Sequence, residues 1–365
     1  MPASTDRDAV RRAHGFHPLR VKRVVPETAD TTSYVLDVPD DLRDVFRYRP
    51  GQFCTFRARV DGAEHLRCYS MSSAPETDDD LAVTVKRVPG GLVSNWLNDT
   101  VREGDILEVT PPAGVFCPRE GDHPIVAFCG GSGVTPIMSI AKSVLASTGR
   151  RVRMLYANRD ADSVIFDAEL RRLAAAHPDR FELRHHVDTD GGYLTAADIA
   201  TFAAASPGAD FYVCGPEPFM DLVEGALRAS GVDDDRILAE RFVVVGDPAG
   251  ADGAGAAADG DGAAGDGTAG AEATETVVIV LDGKETEVAY RAGDTLLETA
   301  RRGGLQPPFS CEAGNCATCM ALVREGAVTM RANNALTPEE VEEGWALTCQ
   351  SLPRGRRVIV EYESF

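Results

Sequence analysis

The residues with the clearest chemical potential in this chain are cysteines near its end. The sequence holds nine cysteines among 365 residues, and four of them form one spaced group. Three lie within nine positions, Cys311, Cys316 and Cys319, and Cys349 follows thirty positions later. Because the total is odd and the chain is long, we do not expect a disulfide framework. Crowded thiols in such a chain instead predict a metal centre.

The spacing of these thiols indicates which centre. A Cys-x4-Cys-x2-Cys run with a distant fourth cysteine is the plant-type pattern for one [2Fe–2S] cluster. The alternative is zinc, which prefers two Cys-x2-Cys pairs or added histidine. The chain has no histidine after His186. Because a Rieske cluster needs two histidine ligands, the absence of histidine near these cysteines also argues against a Rieske cluster. With no candidate site for haem or mononuclear iron, we do not expect the chain to activate O₂ itself.

A second group of residues suggests a flavin site. Arg67-Cys68-Tyr69-Ser70, followed by Ser72-Ser73, resembles the flavin signature of the ferredoxin–NADP⁺ reductase superfamily. Tyr69 offers a flat face and a hydroxyl, and Arg67 offers a fork for a pyrophosphate. Ser70 can hydrogen-bond the flavin near N5, a catalytic position. The strand containing Val85 and Lys86 resembles the family strand whose backbone meets the flavin ring.

Two further segments extend this flavin prediction. Gly91 lies in a glycine turn before a predicted helix capped by Ser94, and the free N–H groups of a helix start suit a diphosphate. This favours FAD over FMN, which needs only one phosphate site. Glu240-Arg241-Phe242 resembles the Glu-x-Phe ending of relatives, in which the aromatic ring covers the flavin. The alternative for Phe242 is strand core. The resemblance also implies a catalytic role for Glu240.

A glycine-rich turn predicts a pyridine nucleotide site. Gly131, Gly133 and Thr135 belong to a Gly-Gly-x-Gly-x-Thr-Pro run after a predicted strand. Glycines let the backbone approach a pyrophosphate, and the following helix start favours its charge. Cys214-Gly215-Pro216 matches the family's Cys-Gly-Pro, where the cysteine lies beside nicotinamide C4. This implies catalytic Cys214 and cofactor-binding Gly215 and Pro216. The alternative for Cys214 is a buried small apolar residue.

The end of the next predicted strand bears on the choice of nucleotide. Asn158 and Arg159 lie where the adenosine ribose is expected. Binding of a 2′-phosphate would require Arg159 and a neighbouring hydroxyl donor, but position 158 is asparagine. Asp160 and Asp162 would repel a phosphate. We therefore expect NADH, with NADPH as the alternative.

Patterning along the chain predicts a multidomain protein. Residues 16–118 show short strands between turns, typical of an antiparallel barrel or sandwich. Residues 119–246 alternate strands and helices, which indicates an α/β doubly wound parallel sheet. Residues 247–272 contain only Gly, Ala, Asp, Pro, Thr and Glu, which predicts a flexible acidic linker. Residues 273–365 are expected to form an α+β, β-grasp ferredoxin domain, with a hairpin and a helix capped by Asp294.

Charge and composition exclude several classes of protein. The formal net charge of -20 argues against nucleic-acid binding, which needs a basic face, and disfavours an anionic membrane surface. No apolar run approaches the roughly 20 residues of a spanning helix. The first residues lack the apolar region of a secretory signal. We expect a cytoplasmic monomer.

The order of flavin, nucleotide and ferredoxin segments resembles the reductase components of bacterial multicomponent oxygenases. Among these, the chain resembles the reductases of 3-ketosteroid 9α-hydroxylase and of phenylacetyl-CoA epoxidase. The resemblance covers residues 16–365 and implies electron transfer from NADH through FAD and the cluster to a terminal oxygenase of steroid or aromatic catabolism. The alternatives are an NADPH-dependent epoxidase reductase, a stand-alone flavin reductase, and a non-catalytic electron carrier or redox sensor.

Overall fold

The chain divides into two compact units. The computed structural model describes residues 15–242, 274–309, 314, 317–333 and 335–362. The first unit holds residues 15–242 and the second holds the described residues from 274 onward. The predicted linker, 247–272, lies outside the described residues.

The first unit begins with a six-stranded antiparallel sheet that curls into a barrel, hereafter the flavin barrel. Its strand order is β4-β3-β6-β1-β2-β5. An isolated bridge pairs Met71, just after β4, with Val83 on β5, so the two edge strands approach each other. The elements of the barrel are β1 (His17–Thr28), β2 (Thr31–Asp37), β3 (Phe53–Val60), β4 (Ala63–Ser70), β5 (Leu81–Lys86), α1 (Leu92–Thr100) and β6 (Ile106–Val109).

The rest of the first unit, hereafter the nucleotide domain, is built on a five-stranded parallel sheet of order β11-β10-β7-β8-β9. Strands and helices alternate, as the sequence predicted. The elements are β7 (Ile125–Gly130), α2 (Val134–Ser147), β8 (Val152–Asn158), α3 (Asp167–Ala176), β9 (Phe181–Val187), α4 (Asp188–Gly191), α5 (Ala196–Ala204), β10 (Asp210–Gly215), α6 (Glu217–Ala229) and β11 (Ile237–Arg241).

Helices cover both faces of this parallel sheet. Successive side chains of a strand point to opposite faces, so a strand buried on both sides is apolar throughout. In β7, Ile125 and Ala127 pack in the core beneath α2 and α3, whereas Val126 and Phe128 pack beneath α5 and α6. The doubly wound prediction is therefore confirmed.

The segment that connects the flavin barrel to the sheet is fastened to the nucleotide domain. The ring of Phe116 meets Tyr212 edge-on, with centroids 5.5 Å apart. The Tyr212 hydroxyl donates to the Cys117 carbonyl at 3.1 Å and accepts from the Arg119 amide at 3.1 Å. Arg150 donates to the Arg119 carbonyl at 2.8 Å. Upstream, Ala113 still pairs with Phe53 of the barrel.

The second unit is a five-stranded mixed sheet of order β13-β12-β16-β14-β15, in which β12 and β16 run parallel. Helix α7 packs against this sheet through Leu296 and Ala300. This is the predicted α+β arrangement. The elements are β12 (Thr276–Leu281), β13 (Lys284–Ala289), α7 (Leu296–Arg302), β14 (Met320–Met330), α8 (Pro338–Glu342), β15 (Trp345–Leu347) and β16 (Ser351–Glu361).

Two details of the predicted elements are wrong. Thr295, and not Asp294, caps α7: its hydroxyl accepts from the Glu298 amide, and the Glu298 carboxylate accepts from the Thr295 amide. A threonine followed three residues later by glutamate is the capping-box pattern. The largely apolar run Ile237–Val244 predicts the last strand of the nucleotide domain, but that strand ends at Arg241.

Within the described ranges, no helix has both the length and the apolar character that crossing a bilayer requires.

Candidate functional site

The flavin-signature residues Arg67 to Ser70 form the C-terminal end of strand β4. Tyr69 packs edge-on against Phe56, with ring centroids 5.5 Å apart. Burial raises the pKa of the Tyr69 hydroxyl, an effect that nearby Arg67 partly offsets, so the hydroxyl stays protonated and can donate a hydrogen bond. Arg67 bonds the Leu66 carbonyl through Nη1 at 2.8 Å. The remaining guanidinium donors of Arg67 can serve an anion.

The helix start near Gly91 differs from the prediction. Helix α1 begins at Leu92 with Gly91 at its N-cap and no side-chain cap, so the prediction that Ser94 caps it is wrong. Ser94 is buried and its Oγ accepts from the Val88 amide at 3.1 Å. A Cβ on Gly91 would lie 2.9 Å from both Ser94 Oγ and Val88 Cβ, which explains the glycine. The uncapped N–H groups of this turn suit a phosphate.

Strand β5 brings the barrel to the glycine-rich turn. Val85 is buried in the barrel core, and its carbonyl accepts from Asn98 at 3.2 Å. Lys86 points outward: its Nζ lies 3.8 Å from Asp30 and 4.0 Å from where a Cβ on Gly131 would be. The Lys86 ammonium thus stands beside the turn predicted to hold the nucleotide pyrophosphate.

The glycine-rich turn wraps over the end of strand β10. A Cβ on Gly133 would lie 2.1 Å from the Cys214 carbonyl oxygen, so only glycine fits there. Gly131 adopts a φ of 51°, in the left-handed region. Thr135 is buried and its hydroxyl donates to the Ser132 carbonyl at 3.0 Å, which stabilises the turn. A Cβ on Gly130 would meet Pro216 at 3.0 Å, so this turn packs against the Cys-Gly-Pro segment.

The three predicted catalytic residues come together at the carboxyl edge of the sheet. Cys214 and Glu240 are paired in register on β10 and β11. Ser70, at the end of barrel strand β4, donates its hydroxyl to Glu240 Oε2 at 2.9 Å. Burial raises the pKa of Glu240 to about 8, although the Ser70 hydrogen bond lowers it. Burial, helped by Glu240, also raises the pKa of the Cys214 thiol, so Cys214 is neutral near pH 7.

Phe242 follows Arg241, the last residue of β11, and its ring is 41% exposed. This exposure contradicts the strand-core alternative. An exposed aromatic ring two residues from Glu240 is available to cover a planar ligand.

The ribose end of the predicted nucleotide site also lies at this sheet edge. Asn158 ends β8 and is 4% exposed, yet neither of its amide atoms has a hydrogen-bond partner among the described residues. Buried polar groups are normally paired, so this amide fits a ligand contact. Arg159 is exposed and bonds Asp160 at 2.8 Å.

Sequence patterning missed the turn beside Arg159. Helix α4 follows β9, and the Thr189 amide donates to the Arg159 carbonyl at 3.1 Å. This places the acidic turn that begins at Asp188 beside the end of β8. Tyr193 follows this turn and is 85% exposed. The available signal was positional, since parallel strands end at one sheet edge and β9 ends at Val187.

The cysteine site is described in part. Cys311 and Cys316 lie outside the described residues, whereas Cys319 and Cys349 are both buried. Thr348 joins the latter two segments, because its amide and its hydroxyl donate to the Cys319 carbonyl at 3.1 and 2.7 Å. The structure thus brings the segment of Cys349 beside the segment of Cys319.

Comparison with known protein families matches each part of the chain. Residues 18–117 match an oxidoreductase FAD-binding domain, residues 128–225 an oxidoreductase NAD-binding domain, and residues 279–354 a 2Fe-2S iron-sulfur cluster binding domain. The ferredoxin reductase component of 3-ketosteroid-9-alpha-monooxygenase from Rhodococcus rhodochrous is 42% identical over 346 residues, spanning 94% of this chain and 96% of that protein. This chain belongs to the family of oxygenase reductase components.

Other relatives agree with this placement of the reductase. A component of 1,2-phenylacetyl-CoA epoxidase from Escherichia coli is 31% identical over 96% of this chain and 98% of that protein. The structure of phthalate dioxygenase reductase superposes with a TM-score of 0.57 at 22% identity, covering 95% of this chain and 98% of that one. The latter likeness shows that the order of the three folds is shared.

The residues of the reductase fit the groups that these domains bind. Gly91 and the uncapped turn of α1 leave backbone donors for the FAD diphosphate. The unpartnered amide of Asn158 suits the nucleotide. Near the cluster loop, Gly314 has a φ of 77°, and a Cβ there would lie 2.8 Å from the Ala332 carbonyl oxygen. The reductase therefore carries FAD, NAD(P)H and [2Fe–2S] domains, and the thiolate donors suit iron better than a hard metal.

Proposed function

We propose that this protein is an NADH-dependent reductase that passes electrons through FAD and a [2Fe–2S] cluster to a terminal oxygenase. The supporting observation is the hydrogen bond from Ser70 to Glu240, which joins the end of the flavin strand to the carboxyl edge of the nucleotide sheet. FAD held there would supply the conversion from a two-electron donor to single-electron transfer, which a one-electron cluster requires.

The roles of the chain's own residues follow from their places. Tyr69 and Phe242 offer aromatic surfaces to the flavin, and Arg67 and the α1 turn hold its phosphates. Ser70 and Glu240 hold a proton between Oγ and Oε2 at the edge of the sheet where the flavin would bind. Cys214, kept neutral by burial, supplies a small apolar wall beside the nicotinamide. Cys311, Cys316, Cys319 and Cys349 hold the cluster.

The partner is proposed from the relatives. Curated relatives at 42% and 31% identity are named as components of a steroid monooxygenase and a phenylacetyl-CoA epoxidase. We infer that the electron acceptor here is an oxygenase of the first kind, and that the reductase is a cytoplasmic monomer.

Two measurements test this function: the cofactor content of the purified protein and the reduction of its cofactors by NADH. The purified protein should contain about one FAD and two irons with acid-labile sulfide. Under anaerobic conditions NADH should bleach the flavin absorbance first and then the cluster absorbance. Zinc in place of iron, FMN in place of FAD, or a flavin that NADH leaves oxidised would each contradict the proposal.

The nucleotide preference follows from charge at the ribose end. Arg159 is bound to Asp160, and the neighbouring turn brings Asp188 and Asp190, so a 2′-phosphate would meet several carboxylates. The neutral, buried amide of Asn158 can hydrogen-bond a ribose hydroxyl instead. This arrangement supports NADH as the substrate.

Replacing Arg159 with alanine is expected to change kcat/KM for NADH by less than about twofold, because Arg159 is exposed and pairs with Asp160, and solvent screens such surface pairs. Steady-state kinetics with ferricyanide as acceptor measures this, and Arg171→Ala, an exposed arginine that pairs with Asp167 on the same helix, is the matched control. If NADPH has the higher kcat/KM in the unaltered protein, and Arg159→Ala reduces that value selectively, Arg159 is a phosphate clamp and the assignment of NADH is wrong.

A further inference from the structure

Two side chains of helix α2 cross from the nucleotide domain to the flavin barrel. Ser139 is fully buried, and its hydroxyl donates to the Ser73 carbonyl at 2.6 Å. Lys142 lies three residues later, on the same face of the helix. Its Nζ is 2.6 Å from the Asp78 carboxylate of the barrel and 2.8 Å from Glu169 on α3.

The barrel segment that receives these contacts is itself firmly held. The Asp78 carboxylate accepts from the Ala74 amide at 2.6 Å, and this closes the turn. The Ser73 hydroxyl bonds Tyr48 at 2.7 Å and accepts from the Ala82 amide of β5 at 2.9 Å. The segment begins at Met71, directly after Ser70, so a displacement of this segment is passed to the end of the flavin strand.

Lys142 is a partly buried cation with two carboxylate partners. Its side chain is 12% exposed. Burial alone would lower the pKa of the ammonium, but its hydrogen bonds to Asp78 and Glu169 outweigh this and raise the pKa, so it stays charged. The pair with Asp78 fixes the position of the barrel turn against helix α2, because a shift of either element would separate a partly buried charge from its counterion in the other domain.

Helix α2 links this contact to the nucleotide. The helix starts at Val134, immediately after the turn Gly131–Gly133 that forms the predicted pyrophosphate cradle. A helix of fourteen residues moves as one body, so Ser139 and Lys142 relate the position of the cradle to the position of the flavin strand.

We propose that Ser139 and Lys142 are positioning residues that set the separation between the nicotinamide and the flavin. The proposal rests on the function proposed above. In that reaction a hydride, one proton with two electrons, passes from NADH, which becomes NAD⁺, to FAD. Such transfer needs reacting atoms about 3–3.5 Å apart, and a misplacement of about 1 Å can cost about 100-fold in rate.

The test compares Lys142→Met with Glu169→Gln in the full FAD-loaded chain. The methionine keeps the aliphatic packing but removes the cross-domain ion pair. Glu169 belongs to the same domain as Lys142, so its substitution leaves the contact with Asp78 in place. In stopped-flow reduction by NADH, the limiting rate constant should fall about 10-fold in Lys142→Met and less than about twofold in Glu169→Gln. The dissociation constant for NADH should stay within about twofold in both.

A readout independent of turnover distinguishes positioning from stability. Hydrogen exchange of the amides of Thr77 and Asp78 should accelerate in Lys142→Met but not in Glu169→Gln, while FAD content is unchanged. The isotope effect with NADH deuterated at the transferred position should increase, because a longer transfer distance makes the chemical step more rate-limiting. Ser139→Ala removes a single hydroxyl and should give the same pattern if Lys142→Met fails to fold.

The outcomes separate this inference from the proposed function. A limiting rate and isotope effect equal to those of the unaltered chain in both Lys142→Met and Ser139→Ala would overturn the positioning role. Equal losses in Lys142→Met and Glu169→Gln would also overturn it, because the cross-domain contact would then be irrelevant. An unaltered chain that NADH does not reduce would instead remove the proposed function itself.

Discussion

Cys349→Ser is expected to lose the iron–sulfur cluster while it keeps NADH oxidation with a flavin-level dye. Cluster ligation stabilises the part of the chain that provides the ligands, and Cys349 belongs to the second unit. The flavin and nucleotide residues all belong to the first unit. The iron and sulfide contents should fall from about two of each per chain to near zero. The FAD content and the rate of ferricyanide reduction should remain within about twofold of the unaltered values, because separate units fold separately.

The matched control for this experiment is Cys117→Ser. Cys117 is also buried, but it lies in the first unit, where its thiol faces the Gly114 carbonyl at 3.9 Å. This variant should retain iron. If Cys349→Ser loses bound FAD as well as iron, the two units depend on each other for folding and do not fold separately.

Glu240→Gln is expected to gain stability relative to the unaltered chain as the pH rises from 5 to 8. Glu240 has a pKa of about 8 in the fold because it is buried, against about 4.3 when unfolded. Between these values the folded state binds one more proton than the unfolded state, so its stability falls as the pH rises. The fall is at most about 1.4 kcal/mol per pH unit. Glutamine carries no such proton and lacks this dependence.

Chemical unfolding of the FAD-loaded chain at pH 5, 6, 7 and 8 measures the effect. Glu182→Gln is the control, because Arg153 lowers the pKa of Glu182 and that carboxylate is already ionised throughout this range. The difference in the free energy of unfolding between Glu182→Gln and the unaltered chain should therefore not change with pH. If the difference in the free energy of unfolding between Glu240→Gln and the unaltered chain is also independent of pH, Glu240 ionises normally and does not hold a proton beside Ser70.

Much of the fold could be predicted from local pattern. Apolar periodicity predicts a strand over Phe181–Val187 and a helix near Ala168–Ala176, and the structure has them at Phe181–Val187 and Asp167–Ala176. The errors lie at caps. Asp294 and Thr295 can both cap a helix, and only Glu298 decides between them. Ser94 suits an N-cap, but helix α1 begins two residues earlier.

Family motifs mark the candidate site residues in the sequence, whereas contacts that form only in the tertiary structure leave no such mark. The meeting of Ser70, Cys214 and Glu240 follows from family motifs and from the common edge of parallel strands. The contacts of Ser139 and Lys142 with the barrel join residues 64 to 66 positions apart, and no periodicity encodes which helix face meets which turn. The place of Asn158 at the end of a predicted strand indicates a ribose contact, whereas its unpartnered amide is visible only in the structure.

Phe116, Cys117 and Arg119 contact the nucleotide domain through Tyr212 and Arg150, and this affects where natural or designed recombination can succeed. Gly114 still packs against Phe53 of the barrel, where a Cβ would lie 2.8 Å from the ring, while Phe116 already packs on Tyr212. Val115 between them is 47% exposed. A chimera that grafts this nucleotide domain onto a foreign barrel should be spliced at Val115, because a junction after residue 118 would leave the Tyr212 ring and hydroxyl without their partners.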